Sequence, residues 1–320
     1  MNRIWKEIGI AVLMGMVLPG LILHLAVEFG KPKENSPPTP GATDITREDS
    51  LIPVMLDDGG IRQMELDAYL TGVVLAEMPA SFESEALKAQ AVVARTYTLR
   101  AHTGKSKHTG ASVCTDSRCC QGYIEEAEYL QAGGSEDSIR KIQAAVGGTS
   151  GCVLTYEGDL IEATYFSCSG GRTEDAVAVW GTDVPYLRSV NSPGEEDASH
   201  YTDRVCFTRS DLEEKLDITL PDDQNLWFYN ITYTAGGGVA EIGIGEKRYT
   251  GTELRKLLGL RSTAFTITHD DNGVIFETRG YGHRVGMSQY GADAMALEGS
   301  TYREILAHYY PGTQLETRVD

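Results

Sequence analysis

The feature that most constrains the fold of this chain is a pair of helices joined by an elbow between Leu66 and His102. Before the turn, apolar side chains recur at i, i+3, i+4, i+7 and i+8; they are Leu66, Tyr69, Leu70, Val73 and Val74. This spacing predicts an amphipathic helix. Pro79 must end it, because the residue before a proline is pushed out of the α conformation. We predict a second helix over Ser84–His102, with Leu87, Ala91, Ala94 and Thr98 on one face.

Glu77 is the residue of the elbow whose side chain can take part in a reaction. It falls in the last turn of the first helix, where helix carbonyls disfavour negative charge, so we expect its pKa to be raised. A carboxylic acid that stays protonated near neutral pH can act as a general acid. The spacing alone leaves open the alternative of a solvated glutamate at a helix end.

The run LDAYLTGVVLAEMPASFESEALKAQAVVARTYTLR, which begins at Leu66, resembles the family of SpoIID, the stage II sporulation protein D. The glutamate of the family's AEMP elbow corresponds to Glu77 in this chain. The resemblance implies that Glu77 is the catalytic residue of a peptidoglycan lytic transglycosylase.

Composition and charge narrow the possible partners. The chain has 320 residues, of which 41% are apolar and 23% charged, and this balance is typical of a globular protein. The formal net charge of −18 argues against a nucleic-acid partner, whose phosphates would be repelled. If the ligand is a glycan, a strand stripped of its acidic peptides suits this charge best.

The N-terminal sequence predicts a membrane anchor. Ile8–Val27 contains no acidic or basic side chain except His24, and about 20 such residues can cross a bilayer core of ~30 Å. Arg3 and Lys6 precede the run, so residues 1–7 are expected in the cytoplasm. A cleavable signal peptide is the alternative, although the run is long for one and no Ala-x-Ala site follows it.

The remainder is predicted to lie outside the cytoplasm, as a single-pass protein of the cell membrane. Residues 28–50 form a polar, proline-rich linker, and residues 51–320 form one SpoIID-like domain. Predicted hairpins join Cys152–Tyr156 to Leu160–Ser167, divide Leu226–Ile244 at Ala235–Gly238, and span Phe265–Arg279. Predicted helices cover Glu136–Val146, follow Ser210, Thr250 and Thr301, and run from Ser288 to Leu297. Without regular βαβ units, this order favours an α+β fold of helices and antiparallel hairpins around one cleft.

A group of metal-binding residue types follows the second helix. His108, Cys114, Cys119 and Cys120 fall within thirteen residues, enough for a closed tetrahedral zinc site. A Cys114–Cys120 disulfide is the alternative from the residues alone. The loop is similar to the family pattern His-x5-Cys-x4-His-Cys-Gln-x-Tyr, with Cys119 where a histidine is common. The resemblance implies a structural zinc ion near Glu77.

The segment TYFSCSGGRT resembles the family motif Y-x-S-x-SGGRT. Paired glycines permit a tight turn, and hydroxyls and a guanidinium beside an aromatic ring suit sugar binding. We therefore predict that Tyr165, Ser167, Ser169 and Arg172 contact substrate. A packed structural turn with Arg172 in an ion pair is the alternative.

The segment TRGYGHRVGMSQYGA resembles the family signature GxGxGHGVGMSQxGA. Thr278 and Arg284 stand where glycines are usual, which affects the local backbone and gives Arg284 the length to narrow the cleft. We predict that His283 and Gln289 face Glu77 and bind or support the substrate. A purely structural histidine is the alternative.

Together the resemblances of these motifs imply cleavage of the β-1,4 bond between N-acetylmuramic acid (MurNAc) and N-acetylglucosamine (GlcNAc), with 1,6-anhydro products. One carboxyl group, that of Glu77, can serve as acid and then as base, because the attacking hydroxyl belongs to the substrate. Ordinary glycoside hydrolases need two carboxyl groups.

The resemblance also implies a peptide-stripped glycan, a wall amidase and a membrane partner in spore engulfment. Two alternatives remain from the sequence. One is a non-catalytic peptidoglycan-binding module that stimulates an amidase, and the other is a zinc hydrolase with an open metal site.

Overall fold

The computed structural model describes residues 51–198, 200–270 and 273–318, which fall within one compact unit. The predicted anchor at residues 8–27 and the linker at residues 28–50 lie outside the described residues. Within the described part, every helix is too short or too polar to cross a bilayer. The prediction of a mixed α+β domain with antiparallel sheets is confirmed.

Helices and short strands alternate along the described residues. The helices are α1 (Leu66–Glu77), α2 (Ser84–Arg100), α3 (Glu126–Gln131), α4 (Glu136–Gly147), α5 (Ala176–Trp180), α6 (Arg209–Leu216), α7 (Gly251–Leu258), α8 (Gln289–Leu297) and α9 (Tyr302–Tyr309). A π-helical turn at Ala101–Lys105 extends α2.

The strands are β1 (Leu51–Met55), β2 (Ile61–Glu65), β3 (Val113–Cys114), β4 (Cys152–Tyr156), β5 (Asp159–Leu160), β6 (Tyr165–Phe166), β7 (Gly171–Arg172), β8 (Asn191–Ser192), β9 (Thr202–Phe207), β10 (Phe228–Tyr233), β11 (Val239–Ile244), β12 (Lys247–Thr250), β13 (Phe265–Asp270), β14 (Gly273–Arg279), β15 (Met287–Ser288) and β16 (Gln314–Thr317). Their sheets have the orders β2-β1-β3, β16-β4-β5, β10-β11-β12 and β13-β14-β9, with the pairs β15-β6 and β7-β8. Pairing is antiparallel except for β1 with β3 and β6 with β15.

Local signals predicted most of these elements. Helix α1 ends before Pro79 and α2 begins at Ser84, as the elbow requires. Thr250 and Thr301 form the predicted capping boxes, in which each hydroxyl accepts from the third helical amide. The cap of α6 is Thr208 rather than Ser210.

The predicted strand Leu160–Ser167 was wrong in extent. Of the predicted strand, only the part that forms β5 pairs with β4. The part that forms β6 lies outside this hairpin and pairs in parallel with β15. Thr164 marks the division, because its carbonyl accepts hydrogen bonds from Met287 N and from the Tyr310 hydroxyl. A partner more than 120 residues away therefore overrides the local alternation.

Helix α2 lies at the centre of the first hydrophobic core. It packs against α1, α4, α8, α9 and β4, and its buried alanines allow these close approaches. Arg95, which is 1% exposed, donates to the Thr149 carbonyl at 2.7 Å, to the Val146 carbonyl at 3.2 Å and to Asp67 at 3.0 Å. The guanidinium thus ties the start of α1 to the end of α4.

A second core fills the space between the sheets β13-β14-β9 and β10-β11-β12, beneath α6 and α7. Trp227 and Phe276 are its largest fully buried side chains, at 1% and 0% exposure. Strand β9 was not predicted, because its TDRVCF sequence is mostly polar and only Phe207 is fully buried.

A buried ion pair connects the second core to the first. Arg284 is 2% exposed and lies 3.2 Å from Glu174, which also accepts from the turn between β10 and β11. The Arg284 guanidinium donates to the carbonyls of Ser169, Arg172 and Gly236 at 2.7–2.8 Å. Arg284 therefore does not narrow the cleft, contrary to expectation. Its φ of 65° retains the left-handed backbone that a glycine would supply.

We expect Arg284→Met to lower the free energy of unfolding by about 3–5 kcal/mol, because it leaves the Glu174 carboxylate buried without its partner. Arg204→Met is the matched control, since Arg204 pairs with Glu277 at the surface at 3.5 Å. The control should cost less than about 1 kcal/mol. Urea-induced unfolding followed by circular dichroism measures both, and equal losses would contradict a linking role for the buried pair.

Candidate active site

A cavity of about 730 Å³ opens beside the C-terminal end of α1. Five of the seven predicted catalytic and substrate-binding residues line it, namely Glu77, Tyr165, Ser167, His283 and Gln289, and so do the predicted metal-binding residues Cys119 and Cys120. Sequence reasoning missed further lining residues, among them Tyr97, Lys107, Trp180 and Tyr281. Of these residues, only Tyr281 could have been found from the sequence, because it lies between two glycines of the GYGH motif.

The Glu77 carboxyl is half-buried at the end of its helix. The Gly122 amide donates to its Oε1 atom at 2.5 Å. Burial raises the pKa of Glu77, and the Gly122 amide, the Gln289 amide and the Tyr165 hydroxyl oppose that rise. The direction agrees with the expectation from the sequence, but the main physical cause is loss of hydration.

The elbow that carries Glu77 is fixed from two sides. Lys141 donates from α4 to the Ala80 carbonyl at 2.9 Å and to the Phe82 carbonyl at 2.6 Å. The Phe82 ring packs edge-on against Tyr290 of α8, with centroids 5.0 Å apart. Because α8 begins at Gln289, this contact also sets the position of Gln289 relative to Glu77.

The segment after the cysteines packs directly on α1 beside Glu77. The Ile124 amide donates to the Gly72 carbonyl at 3.2 Å, and a Cβ atom at Gly72 would lie only 2.3 Å from the Tyr123 ring. Glycine is therefore required within this helix. The approach also orients Gln121, which donates to Thr98 at 2.9 Å and accepts from Tyr165 at 3.3 Å.

A short parallel pair of strands brings Tyr165 and Gln289 together. Met287 pairs with Tyr165 and Ser288 with Phe166, and the Ser288 hydroxyl then caps α8. Burial raises the pKa of Tyr165, so its hydroxyl stays neutral. The Nε2 atom of buried Gln289 lies near the Glu77 carboxyl but makes no short hydrogen bond among the described residues, so a substrate oxygen can also accept from it.

His283 lines the cavity as part of a cluster of aromatic rings. Its ring lies between Phe166 and Trp180, at centroid distances of 5.6 and 5.4 Å. Its Nδ1 atom accepts from the Val285 amide at 3.2 Å. Burial, with a smaller contribution from Arg255, lowers the pKa of His283 to about 4. The imidazole is therefore neutral at physiological pH.

Ser169 and Arg172 do not line the cavity. Ser169 is fully buried, and both its amide and its hydroxyl donate to Glu195 at 2.8 Å. Arg172 is exposed and donates to Ser189 at 3.0 Å and to Asn191 at 2.7 Å. The two residues shape the turn around the paired glycines, and Arg172 binds the neutral Ser189 and Asn191 rather than the ion-pair partner that the structural alternative gave it.

The four predicted metal-binding residues converge on one point. The donor atoms of His108, Cys114, Cys119 and Cys120 all lie within 4.8 Å of one another. His108 Nε2 is 3.3 Å from Cys120 Sγ and 3.7 Å from Cys119 Sγ. Ligands of one tetrahedral zinc ion would be separated by roughly 3.5–3.8 Å, so the donor set fits such an ion. All six cysteines are described and all are free thiols, so the predicted alternative of a Cys114–Cys120 disulfide is not formed.

Comparison with known proteins assigns this arrangement to a class. Residues 58–156, which include Glu77 and the histidine–cysteine group, match the model of the SpoIID family, described as stage II sporulation protein. The match thus covers the elbow and the histidine–cysteine group.

Relatives specify the family further. The chain is 39% identical over 285 residues to stage II sporulation protein D of Bacillus subtilis (strain 168), covering 87% of this chain and 82% of the relative. It is 34% identical over 322 aligned positions to the protein of the same name from Bacillus amyloliquefaciens, covering 96% and 93%. A Bacillus subtilis protein named amidase enhancer is 32% identical over 302 residues, covering 77% of this chain and 40% of that protein. The chain belongs to the stage II sporulation protein D family.

We expect Glu77→Gln to stabilise the fold near pH 8. The folded state raises the pKa of Glu77, so ionisation of this group costs folding free energy; the cost is absent below the unfolded pKa of about 4.3 and complete above the folded pKa. The free energy of unfolding in urea should exceed that of the wild type near pH 8 and match it near pH 4. Glu83→Gln, which alters an exposed glutamate at the same elbow, is the control. A stability difference independent of pH would contradict the raised pKa.

Proposed function

We propose that the protein is a lytic transglycosylase that cleaves the β-1,4 bond between MurNAc and GlcNAc in peptidoglycan glycan strands, giving 1,6-anhydro-MurNAc products. The observation that supports this most is Glu77, a carboxyl group in the wall of a large cavity, with a raised pKa and one oxygen held by a backbone amide.

Glu77 performs both proton transfers in the proposed reaction. The protonated carboxyl donates to the glycosidic oxygen as the bond to the MurNAc anomeric carbon breaks, and GlcNAc leaves as an alcohol. The resulting carboxylate removes the proton of the MurNAc 6-hydroxyl, whose oxygen attacks the anomeric carbon. The 1,6-anhydro ring closes, and Glu77 recovers its proton.

The surroundings of Glu77 support a mechanism with one carboxyl group. Among the described residues that line the cavity, the only other carboxylate is that of Glu162, which pairs with Arg100 at 3.4 Å. The attacking hydroxyl of the substrate removes the need for a second catalytic residue.

Polar side chains around Glu77 orient the sugar in this proposal. Tyr165 supplies a neutral hydroxyl beside the carboxyl, and the Gln289 amide nitrogen, which lies near Glu77 without a short hydrogen bond among the described residues, can donate to a sugar oxygen. Ser167 and His283 form the adjacent wall. Ser169 and Arg172 act through the shape of their turn.

A structural zinc ion fits the histidine–cysteine group. His108, Cys114, Cys119 and Cys120 would hold it, and the ion would cross-link the loop without taking part in the chemistry. Four protein donors leave no position for an activated water, which disfavours a zinc hydrolase. The chain continues from Cys120 to Gln121 and Gly122, so the ion would brace the Glu77 hydrogen bond.

We place this domain, residues 51–320, outside the cytoplasm on the anchor at residues 8–27 and the linker at residues 28–50, where it acts during spore engulfment. We infer that its substrate is glycan stripped of stem peptides and that it works with a wall amidase and a membrane partner. The relative named amidase enhancer supports the link to an amidase. The same relative supports the second candidate function, a peptidoglycan-binding module that stimulates an amidase.

We expect Glu77→Gln to lower the rate of glycan cleavage by about 10²–10⁴-fold, the usual contribution of general acid–base catalysis. Mass spectrometry of peptide-free glycan strands should show anhydro-MurNAc ends with the wild type and with the control Glu83→Gln, but not with Glu77→Gln. Reducing ends would show that water attacks, which contradicts the transglycosylase. Amidase stimulation that survives in Glu77→Gln, without cleavage by the wild type, would support the binding module.

We expect one zinc ion per chain, lost in Cys114→Ser and retained in Cys206→Ser, which alters an exposed thiol outside the group. Loss of the ion should lower glycan cleavage at least about tenfold, because the segment that donates to Glu77 loses its brace. Elemental analysis and the product assay measure the two effects. Full activity without the ion would contradict the bracing role.

A further inference from the structure

Two large aromatic side chains in the cavity wall remain exposed. Trp180 is 43% and Tyr281 is 42% exposed, and both line the cavity that contains Glu77. Large aromatic groups contribute most to stability when they are buried, so their exposure in a concave site does not serve the fold. A ligand that covers them would gain the contact area that the fold leaves open.

The Trp180 ring is held in a fixed orientation. It is the last residue of α5, which ends because Gly181 adopts a left-handed conformation with a φ of 74°. The indole packs against His283, whose other neighbour is Phe166. His283 is neutral, so no charge in this stack requires hydration. A ring that is already fixed loses little conformational entropy on binding.

The Tyr281 ring is fixed by different contacts. Its amide donates to the Cys168 carbonyl at 2.7 Å, and its carbonyl accepts from the Cys168 amide at 3.1 Å. The ring packs edge-on against His200, with centroids 5.4 Å apart, and the Arg261 guanidinium lies 5.7 Å from its centroid. The backbone and both neighbours therefore hold this ring at the cavity wall.

These rings line the same cavity as Glu77, the acid of the proposed mechanism. Phe166, which contacts His283, follows Tyr165 in the chain, and the Tyr165 hydroxyl lies beside Glu77. Pyranose rings in β-1,4 linkage present flat C–H faces that pack against aromatic rings. We propose that Trp180 and Tyr281 form a sugar-stacking subsite that holds the glycan strand beside Glu77. This inference rests on the proposed function, because it takes a glycan as the ligand.

Trp180 itself provides a direct test of binding. The chain has three tryptophans, and Trp227 is 1% exposed in the second core, where its Nε1 donates to Pro221. In full-length protein carrying Trp5→Phe and Glu77→Gln, addition of chitohexaose or peptide-free glycan should shift the emission to shorter wavelength without turnover. Trp180→Phe in this background should abolish the shift. A shift that persists in Trp180→Phe, or no shift at saturating glycan, would overturn the proposal.

Affinity gives a second measure. Trp180→Ala and Tyr281→Ala should each weaken glycan binding about tenfold, as expected for loss of one stacking contact. Tyr233→Ala is the matched control, because Tyr233 is 60% exposed on β10 and does not line the cavity. Stacking involves no net charge, so the affinity for uncharged chitohexaose should change little between low and high salt. Unchanged affinity in both cavity variants would refute the subsite.

Kinetics separate this inference from the proposed function. In the active chain, Trp180→Ala should raise KM about tenfold and leave kcat within about threefold, whereas a general loss of structure would lower kcat and thermal stability together. Glycan cleavage with a normal KM in both variants would refute the subsite and retain the transglycosylase. A Trp180-dependent shift without cleavage by the wild type would retain the subsite and refute the transglycosylase.

Discussion

The site depends on the hydrogen bond from the Gly122 amide to the Glu77 carboxyl. That bond exists because the backbone after Cys120 packs directly on α1, which requires glycine at position 72. The same segment begins at the histidine–cysteine group and contains Gln121, which accepts a hydrogen bond from the Tyr165 hydroxyl. One backbone approach therefore couples the acid, its aromatic neighbour and the metal-binding loop.

The charge of Glu77 is set by opposing effects. Burial favours the neutral acid, while the Gly122 amide, Gln289 and Tyr165 stabilise the carboxylate. A group that first donates a proton and then accepts one must be able to exist both as the protonated acid and as the carboxylate. Glu162 lies in the same wall but forms an ion pair with Arg100, whereas Glu77 is surrounded by a backbone amide and neutral side chains.

The parts predicted from sequence are those set by neighbours in the chain. The end of α1 at Pro79, the capping boxes and the spacing of the histidine and cysteines are local signals, and the structure contains each of them. Contacts distant in sequence decided the rest. Ser169 donates a hydrogen bond to Glu195, Arg284 forms an ion pair with Glu174, and β6 pairs with β15. Spacing along the chain predicted none of these partners. Exposed aromatic residues such as Trp180 give no periodic signal at all.

The buried Arg284–Glu174 pair has a consequence for how the molecule opens. Arg284 adjoins His283, which supports the Trp180 ring, and its guanidinium bonds to the Gly236 carbonyl in the turn between β10 and β11. Glu77 is held by the helices of the first core and by Gly122. Ala176 and Val285, which are near Trp180 and His283 in the chain, are buried in the first core, so both walls of the cavity are anchored in the same core. Local opening of the second core would break the Arg284–Gly236 hydrogen bond but leave these apolar contacts in place, so the wall that contains Trp180 keeps a second anchor.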